Sequence, residues 1–308
     1  MSSPGSRAAR VVPARRNIAA SSGSPLGPDS LVWRYFADHR MALLGPRAAV
    51  LQNMFPALGQ GVEDHSVWFA ETLARLQRSI PPIFNTVYGI DGAGSGHQVR
   101  DFHKAIKGTM PDGSRYSALD PMTFYWAHAT FVDHLITATD TFIRRLSDAQ
   151  KQQIFAESMT WYERYGVSST GTPRSYAEFT AYWESALAER LVAHRTAKYG
   201  VGYATKGWPR PKRIHPFVWW VVAPPLNRVS AFITIGGMPK RARDLLELPW
   251  SPRQQRRYEQ FAVACRSLAP LYERLPLRLR MHPIGAAAFK RANRAEAPRP
   301  NVLQTERP

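Results

Sequence analysis

The sequence predicts an all-α domain, because apolar residues recur at helical spacing over most of its length, strand signals are scarce, and the breaks fall at proline and capping signals. A first helix is expected over residues 30–44, with Asp29 or Ser30 as N-cap and Gly45 at its end. A second follows Pro46 at its first position and stops near Pro56. A third spans 62–80 and is terminated by Pro81-Pro82. Asp91-Gly-Ala-Gly-Ser-Gly96 reads as a loop and residues 95–106 as a fourth helix, with a turn at 110–115. Asp120-Pro121 opens a long helix to about Arg145, and the capping box Ser147-Asp-Ala-Gln150 opens the next, to Tyr165. One more is expected from Ser175 to Lys198. Beyond a Gly/Pro/basic linker at 200–216 come an aromatic segment and two or three further helices to about Arg291. The expectation is roughly ten helices in one domain over 30–292, between a disordered arm (1–29) rich in Ser, Pro, Gly and Arg and a disordered tail (293–308).

Composition narrows the function classes. Hydrophobic residues make up 44% of the 308, ample for a core, and 11% aromatics exclude a mostly disordered chain. The net charge of +18 is uneven: residues 201–308 hold 20 Lys/Arg against 6 Asp/Glu, whereas 1–200 hold 21 against 17. A field of that kind favours anionic surfaces, or it is simply a basic solvated face. No helix-turn-helix, zinc or RNA-recognition signature accompanies the charge, so a nucleic-acid partner is not expected. The single cysteine, Cys265, excludes an intramolecular disulfide and a multi-cysteine metal site, and its apolar neighbours predict a buried small hydrophobe. Arg15-Arg16 lacks the apolar stretch of an export signal, and no apolar run reaches the length of a membrane span. Phe217-Val-Trp-Trp-Val-Val-Ala223 is interrupted by Pro224-Pro225. These features predict a cytoplasmic protein, with peripheral contact to an anionic membrane left open.

Polar residues at helical spacing single out 75–128. Arg75 and Ser79 are four apart, and Arg100 and His103 three apart, so each pair shares a helix face. A lone helical histidine such as His103 is either a satisfied structural residue or a ligand, and imidazole is the usual protein ligand of haem iron. Arg100 could pair with a haem propionate, and Arg75, Arg78 and Ser79 would serve the opposite side. In the run from His128 to Asp133-His134 the five-residue offset turns His128 and Asp133 apart, which leaves His128 as a buried residue supporting the cofactor site from behind. Gly92-Ala-Gly94-Ser-Gly96 lacks the Gly-Lys-Ser/Thr ending of a phosphate loop. Glu63-Asp64-His65-Ser66 places acid/base groups at an expected helix start, where carboxylates also complement the macrodipole.

At these residues the chain resembles the DUF2236, or MpaB-type oxygenase, family, which includes the rubber oxygenases. The resemblance covers about 31–290 and rests on Leu44-Gly-Pro-Arg47, Gly61-Val-Glu-Asp-His65-Ser66, Arg75-x-x-Arg78-Ser79, Arg100-x-x-His103, Arg115-Tyr-Ser-Ala-Leu-Asp120-Pro and Trp126-x-His128-Ala-Thr130. The Ala-Leu-Asp-Pro to His-Ala-Thr portion is the most specific. It implies a globin-like helical domain that binds haem b and uses dioxygen as co-substrate to cleave carbon–carbon double bonds. His103 would be the proximal iron ligand, with Arg100 near the propionates. Arg75 and Ser79 fall at a distal Arg and Thr, Arg78 where a distal Lys can stand, and Glu63 at a catalytic carboxylate. Two departures bear on this: Ser79 stands in place of Thr and keeps the hydroxyl, and Pro81-Pro82 directly after it would end or kink the distal helix; the arm also lacks the export signal that an extracellular polymer degrader needs. The resemblance therefore implies an oxygenase acting on an apolar unsaturated isoprenoid or lipid, held by walls such as Phe55, Trp68, Phe69 and Tyr125. The alternative is a non-catalytic haem- or lipid-binding protein of the same fold.

Overall fold

Helix starts in this chain are set by capping residues, and the computed structural model describes residues 26–66, 72–211 and 213–296, apart from the side chains of 72–76, 204 and 296. The order is α1 (Leu31–Phe36), a 3-10 helix (His39–Leu44), α2 (Gly45–Asn53), α3 (Pro56–His65), α4 (Thr72–Tyr88) and α5 (Gly92–Phe102). A hairpin of β1 (Lys107–Thr109) and β2 (Arg115–Ser117) follows, paired antiparallel with Gly108 opposite Tyr116. Next come α6 (Pro121–Ala138), continued by a π-helical turn (Thr139–Ile143), α7 (Asp148–Glu163), α8 (Tyr176–Glu189) and α9 (Arg195–Lys206). The C-terminal part holds α10 (Pro216–Gly237), α11 (Lys240–Leu245), α12 (Pro252–Glu273), α13 (Leu277–Arg280) and α14 (Pro283–Glu296). Apart from the hairpin, the regular structure of the described residues is helical.

The core is built around α6, which is apolar on all sides and so must be surrounded. Asp120 caps it by accepting from the Met122 and Thr123 amides, with Pro121 at the first position. Trp126 and Tyr125 are fully buried, and Trp126 Nε1 donates to the Leu51 carbonyl of α2 at 3.1 Å. α7 packs on α6 and reaches α1 through the buried Glu157 carboxylate, which accepts from the Leu31 and Val32 amides at 3.1 and 2.8 Å. A carboxylate at a helix N-terminus satisfies two donors that have no intrahelical partner. The pair of buried Arg47 and half-buried Asp133 joins α2 to α6, and Arg47 Nε also donates to the Gly237 carbonyl at the end of α10.

Several expected boundaries are corrected. The first helix divides at Asp38, whose side chain caps the 3-10 helix. The third is two helices: α3 begins at Pro56, and α4 runs through Pro81-Pro82 to Tyr88. The prolines withhold two amides from the ladder, but remote donors hold the last turn of α4. Trp33 Nε1 and Arg164 donate to the Val87 and Thr86 carbonyls, and Arg291 to the Tyr88 carbonyl. The helix expected from 175 to 198 breaks at Glu189, and His194 caps α9 as a separate helix. α10 likewise continues through Pro224-Pro225. Cys265 is half-buried: it lies on the inward stripe of α12 with Tyr258, Ala262 and Ala269 and packs against the edge of the core. Most of the expected arm and tail lies outside the described residues.

Candidate functional site

The loop expected at 91–96 is the first turn and a half of α5. Asp91 caps it by accepting from the Gly94 amide at 2.7 Å. Glycine is required here by packing: a β-carbon at Gly92 would meet the Arg164 guanidinium, and one at Gly96 the Arg164 carbonyl. Arg164 Nη1 also donates to the Thr86 and Val87 carbonyls at 2.6 and 3.1 Å, so one side chain fixes the end of α4 against the start of α5. Burial holds that guanidinium below its ordinary range. The clamp sets the two helices carrying the candidate residues side by side.

At the other end of α5, His103 is the C-cap, half-buried, with its ring edge-to-face on Phe124 at 5.7 Å. Its Nδ1 lies 2.7 Å from the Val99 carbonyl. A carbonyl only accepts, so Nδ1 carries a proton, and in the neutral ring the lone pair is on Nε2. Arg100 lies one turn earlier, as the spacing predicts. Its Nε donates to Asp101 at 2.8 Å, and Arg100 and Lys104 together hold the Asp101 carboxyl down at about 2.

Behind Phe124 is a box of rings. Phe124 packs on Tyr165 at 5.3 Å, and His128 on Trp161 and Tyr162 at 4.9 and 5.1 Å. His128 is buried, and among the described residues neither ring nitrogen has a partner in hydrogen-bonding geometry. Burial pushes its pKa down to about 3; the nearby Ser158 backbone opposes the shift without reaching bonding geometry. The Tyr125 and Tyr182 hydroxyls in the same box are also buried without a partner among the described residues. The structure thus brings together Arg100, His103 and, through Phe124 and Tyr165, His128.

The other candidates stand differently. Arg78 is exposed and Ser79 half-buried on α4, while the side chain of Arg75 lies outside the described residues, as do Trp68 and Phe69. Glu63 lies near the C-terminal end of α3, which corrects its expected place at a helix start; Pro56 sets that start seven residues earlier. Its carboxylate instead faces the start of α9, taking Arg195 Nη1 at 2.7 Å with the N-cap His194 at 3.9 Å. Neighbouring Asp64 accepts from Tyr116 Oη at 2.6 Å, which holds its pKa down. Phe55 stacks on Trp126 at 5.9 Å and Tyr125 is fully buried, so both serve the core. Asp133 is committed to Arg47, and among the described residues no three His, Cys, Asp or Glu side chains gather to hold a metal ion. Arg164 and the ring set Trp161, Tyr162 and Tyr165 were less evident from sequence, where the spacing of the rings by one and four at the end of α7 and just past its C-cap Arg164 was the available signal.

Two clefts, of about 680 and 720 Å³, are lined by other residues. The first lies between Arg47, Trp183, Glu184 and Lys240, the second between Asn85, Gln98 and Arg291. Neither lining includes His103.

Comparison with known proteins gives a match over residues 33–267 to the family described as ER-bound oxygenase mpaB/B'/Rubber oxygenase, catalytic domain. Two curated relatives, an uncharacterized protein of Mycobacterium tuberculosis and one of Mycobacterium bovis, are each 24% identical over 158 residues. That stretch is 51% of this chain and 58% of each relative, so the chain spans little more than half the length of the relatives it matches. No solved structure matches.

Proposed function

The chain belongs to the MpaB/rubber oxygenase catalytic-domain family, and on that premise we propose that it is a haem-dependent oxygenase acting on an apolar, unsaturated isoprenoid or lipid. The observation that carries this reading is the bond between His103 Nδ1 and the Val99 carbonyl. A histidine that ligates iron through Nε2 needs its other nitrogen protonated and held, and a backbone carbonyl does both while raising the basicity of the ligating nitrogen. The donor set fits an iron porphyrin: one imidazole of fixed tautomer, with the Arg100 guanidinium one turn away for a propionate.

When bound, haem would supply the one-electron and dioxygen chemistry. The chain's own residues orient and insulate. Val99 fixes the His103 ring plane, and Phe124 stops the ring from turning. Arg100 presents its remaining guanidinium donors to a carboxylate in competition with Asp101. Arg75, Ser79 and Arg78 are proposed as the polar donors of the opposite side, and Glu63 as a proton-handling carboxylate. His128 stays neutral behind the site and adds no charge to it.

An absorption spectrum of the protein supplemented with haem tests the reading. A Soret band is expected in the parent and its loss in His103→Ala, with the far-ultraviolet circular dichroism unchanged. A parent that stays haem-free, or a His103→Ala variant with an unaltered band, contradicts it. If the band forms, dioxygen-dependent loss of an alkene lipid separates the oxygenase from a non-catalytic haem binder.

A further inference from the structure

Between Arg190 and Arg243 the chain carries 11 Lys and Arg and no Asp or Glu. This carboxylate-free stretch contains α9 and the whole of α10. The inner face of α10 rests on Trp208, whose backbone amide donates to Asn227 Oδ1 at 3.1 Å and whose Nε1 donates to Ser230 Oγ at 3.0 Å. Trp219, Ala223, Asn227 and Ser230 follow one another at helical spacing on that face. The opposite side of its first four turns is exposed and apolar: Phe217 is 65% and Trp220 74% exposed, with Val218, Val221, Leu226 and Val229 beside them. A helix apolar on every side is ordinarily enclosed, and this one is enclosed on one side only.

We propose that the outer face of α10 docks on the surface of an anionic phospholipid bilayer. Phe217, Trp220, Val221 and Leu226 would enter the boundary between headgroups and acyl chains, where amphipathic aromatic rings are favoured. The exposed cations Lys206, Arg210, Arg213 and Arg228 flank the apolar face and would meet lipid phosphates. Charge selects this occupant. A second copy would bring the same carboxylate-free cationic stretch against itself, and a nucleic-acid duplex, its bases already stacked, offers Val218, Val221, Leu226 and Val229 no apolar surface.

The helix would lie on the membrane and not cross it. No helix of the described residues is long and apolar enough to span. Pro224-Pro225 also leaves the Trp220 and Val221 carbonyls without intrahelical donors, which water at an interface satisfies and hydrocarbon does not. The proposal needs neither haem nor turnover.

The full chain is to be sedimented with vesicles of phosphatidylcholine alone and with about one-third phosphatidylglycerol. At least roughly tenfold tighter partition onto the anionic vesicles is expected, falling as salt is raised from about 0.1 M to about 0.5 M. Phe217→Glu/Trp220→Glu should remove the preference by a similar factor with thermal unfolding unchanged, since both side chains are exposed. Arg210→Gln/Arg213→Gln should weaken it and flatten its salt dependence. Equal partition of parent and Phe217→Glu/Trp220→Glu, or equal affinity for neutral vesicles, overturns the proposal. So does vesicle-free self-association that the same variant abolishes, which assigns the face to a second copy. Binding to a DNA duplex that displaces the vesicles and survives the variant would assign the surface to nucleic acid.

Discussion

His128 and His134 are both buried on α6 and both have pKa values pushed down to about 3, His128 by burial and His134 by burial and the Arg47 charge. In the unfolded chain each titrates near its ordinary value of about 6.5. Above that value both states are neutral and the histidines contribute no pH dependence. Between about 6.5 and 3 the unfolded chain binds their protons and the folded one does not, so stability falls as pH falls through this window. At pH 5.5 the loss is roughly 1.4 kcal/mol per histidine by linkage. Urea midpoints of the haem-free protein at pH 7.5 and 5.5 measure it. His128→Leu should lose less stability than the parent between the two pH values, by about one histidine's share. Equal losses would mean that His128 is hydrated or partnered in the folded protein.

At the scale of elements, what was legible in the sequence had its cause nearby. Asp120-Pro121, Ser147 with Gln150, and Ser175 cap α6, α7 and α8 where local chemistry places them. What was illegible had its cause far along the chain. α4 runs on past Pro81-Pro82 to an end whose carbonyls are taken by Trp33, Arg164 and Arg291, and Gly92 and Gly96 pack against Arg164 inside a helix. The candidate site divides the same way: Arg100 and His103 share a face by spacing alone, whereas the rings between His103 and His128 depend on how α5, α6 and α7 pack. Alanine at two glycines tests this. Gly202→Ala in α9, with open space at the β-carbon, should stabilise by up to about 1 kcal/mol. Gly96→Ala gains the same propensity but drives a β-carbon into the Arg164 carbonyl, and overpacking of that kind costs roughly 1–3 kcal/mol or more. Thermal unfolding should therefore move in opposite directions for the two. A stabilised Gly96→Ala would show that α5 is not pressed against residue 164.

For the molecule as a whole, the last helices belong to the same core as the first, although the family match stops at residue 267. Met281 bridges to Asp38 and the His282 amide donates to the Ala37 carbonyl at 2.8 Å. In α14, Ala288 is buried, Phe289 meets Trp33 edge-on at 5.7 Å, and Arg291 donates to the Tyr88 carbonyl at 2.7 Å. Removing 268–308 would uncover Trp33, Phe84 and Tyr88 and leave the end of α4 without one of its remote donors. Burial of two or three side chains, at roughly 1.5–3 kcal/mol each, puts the loss at about 4 kcal/mol or more. A domain of this kind holds only about 5–15 kcal/mol in total. A chain cut after residue 267 should thus unfold at markedly lower urea concentration than one cut after residue 296, or fail to fold. Because α4 is clamped to α5 through Arg164, the proposed haem site predicts weaker haem binding by the shorter chain than by the chain ending at 296. Equal unfolding midpoints for the two chains would show that the matched segment folds by itself and that α14 only covers it.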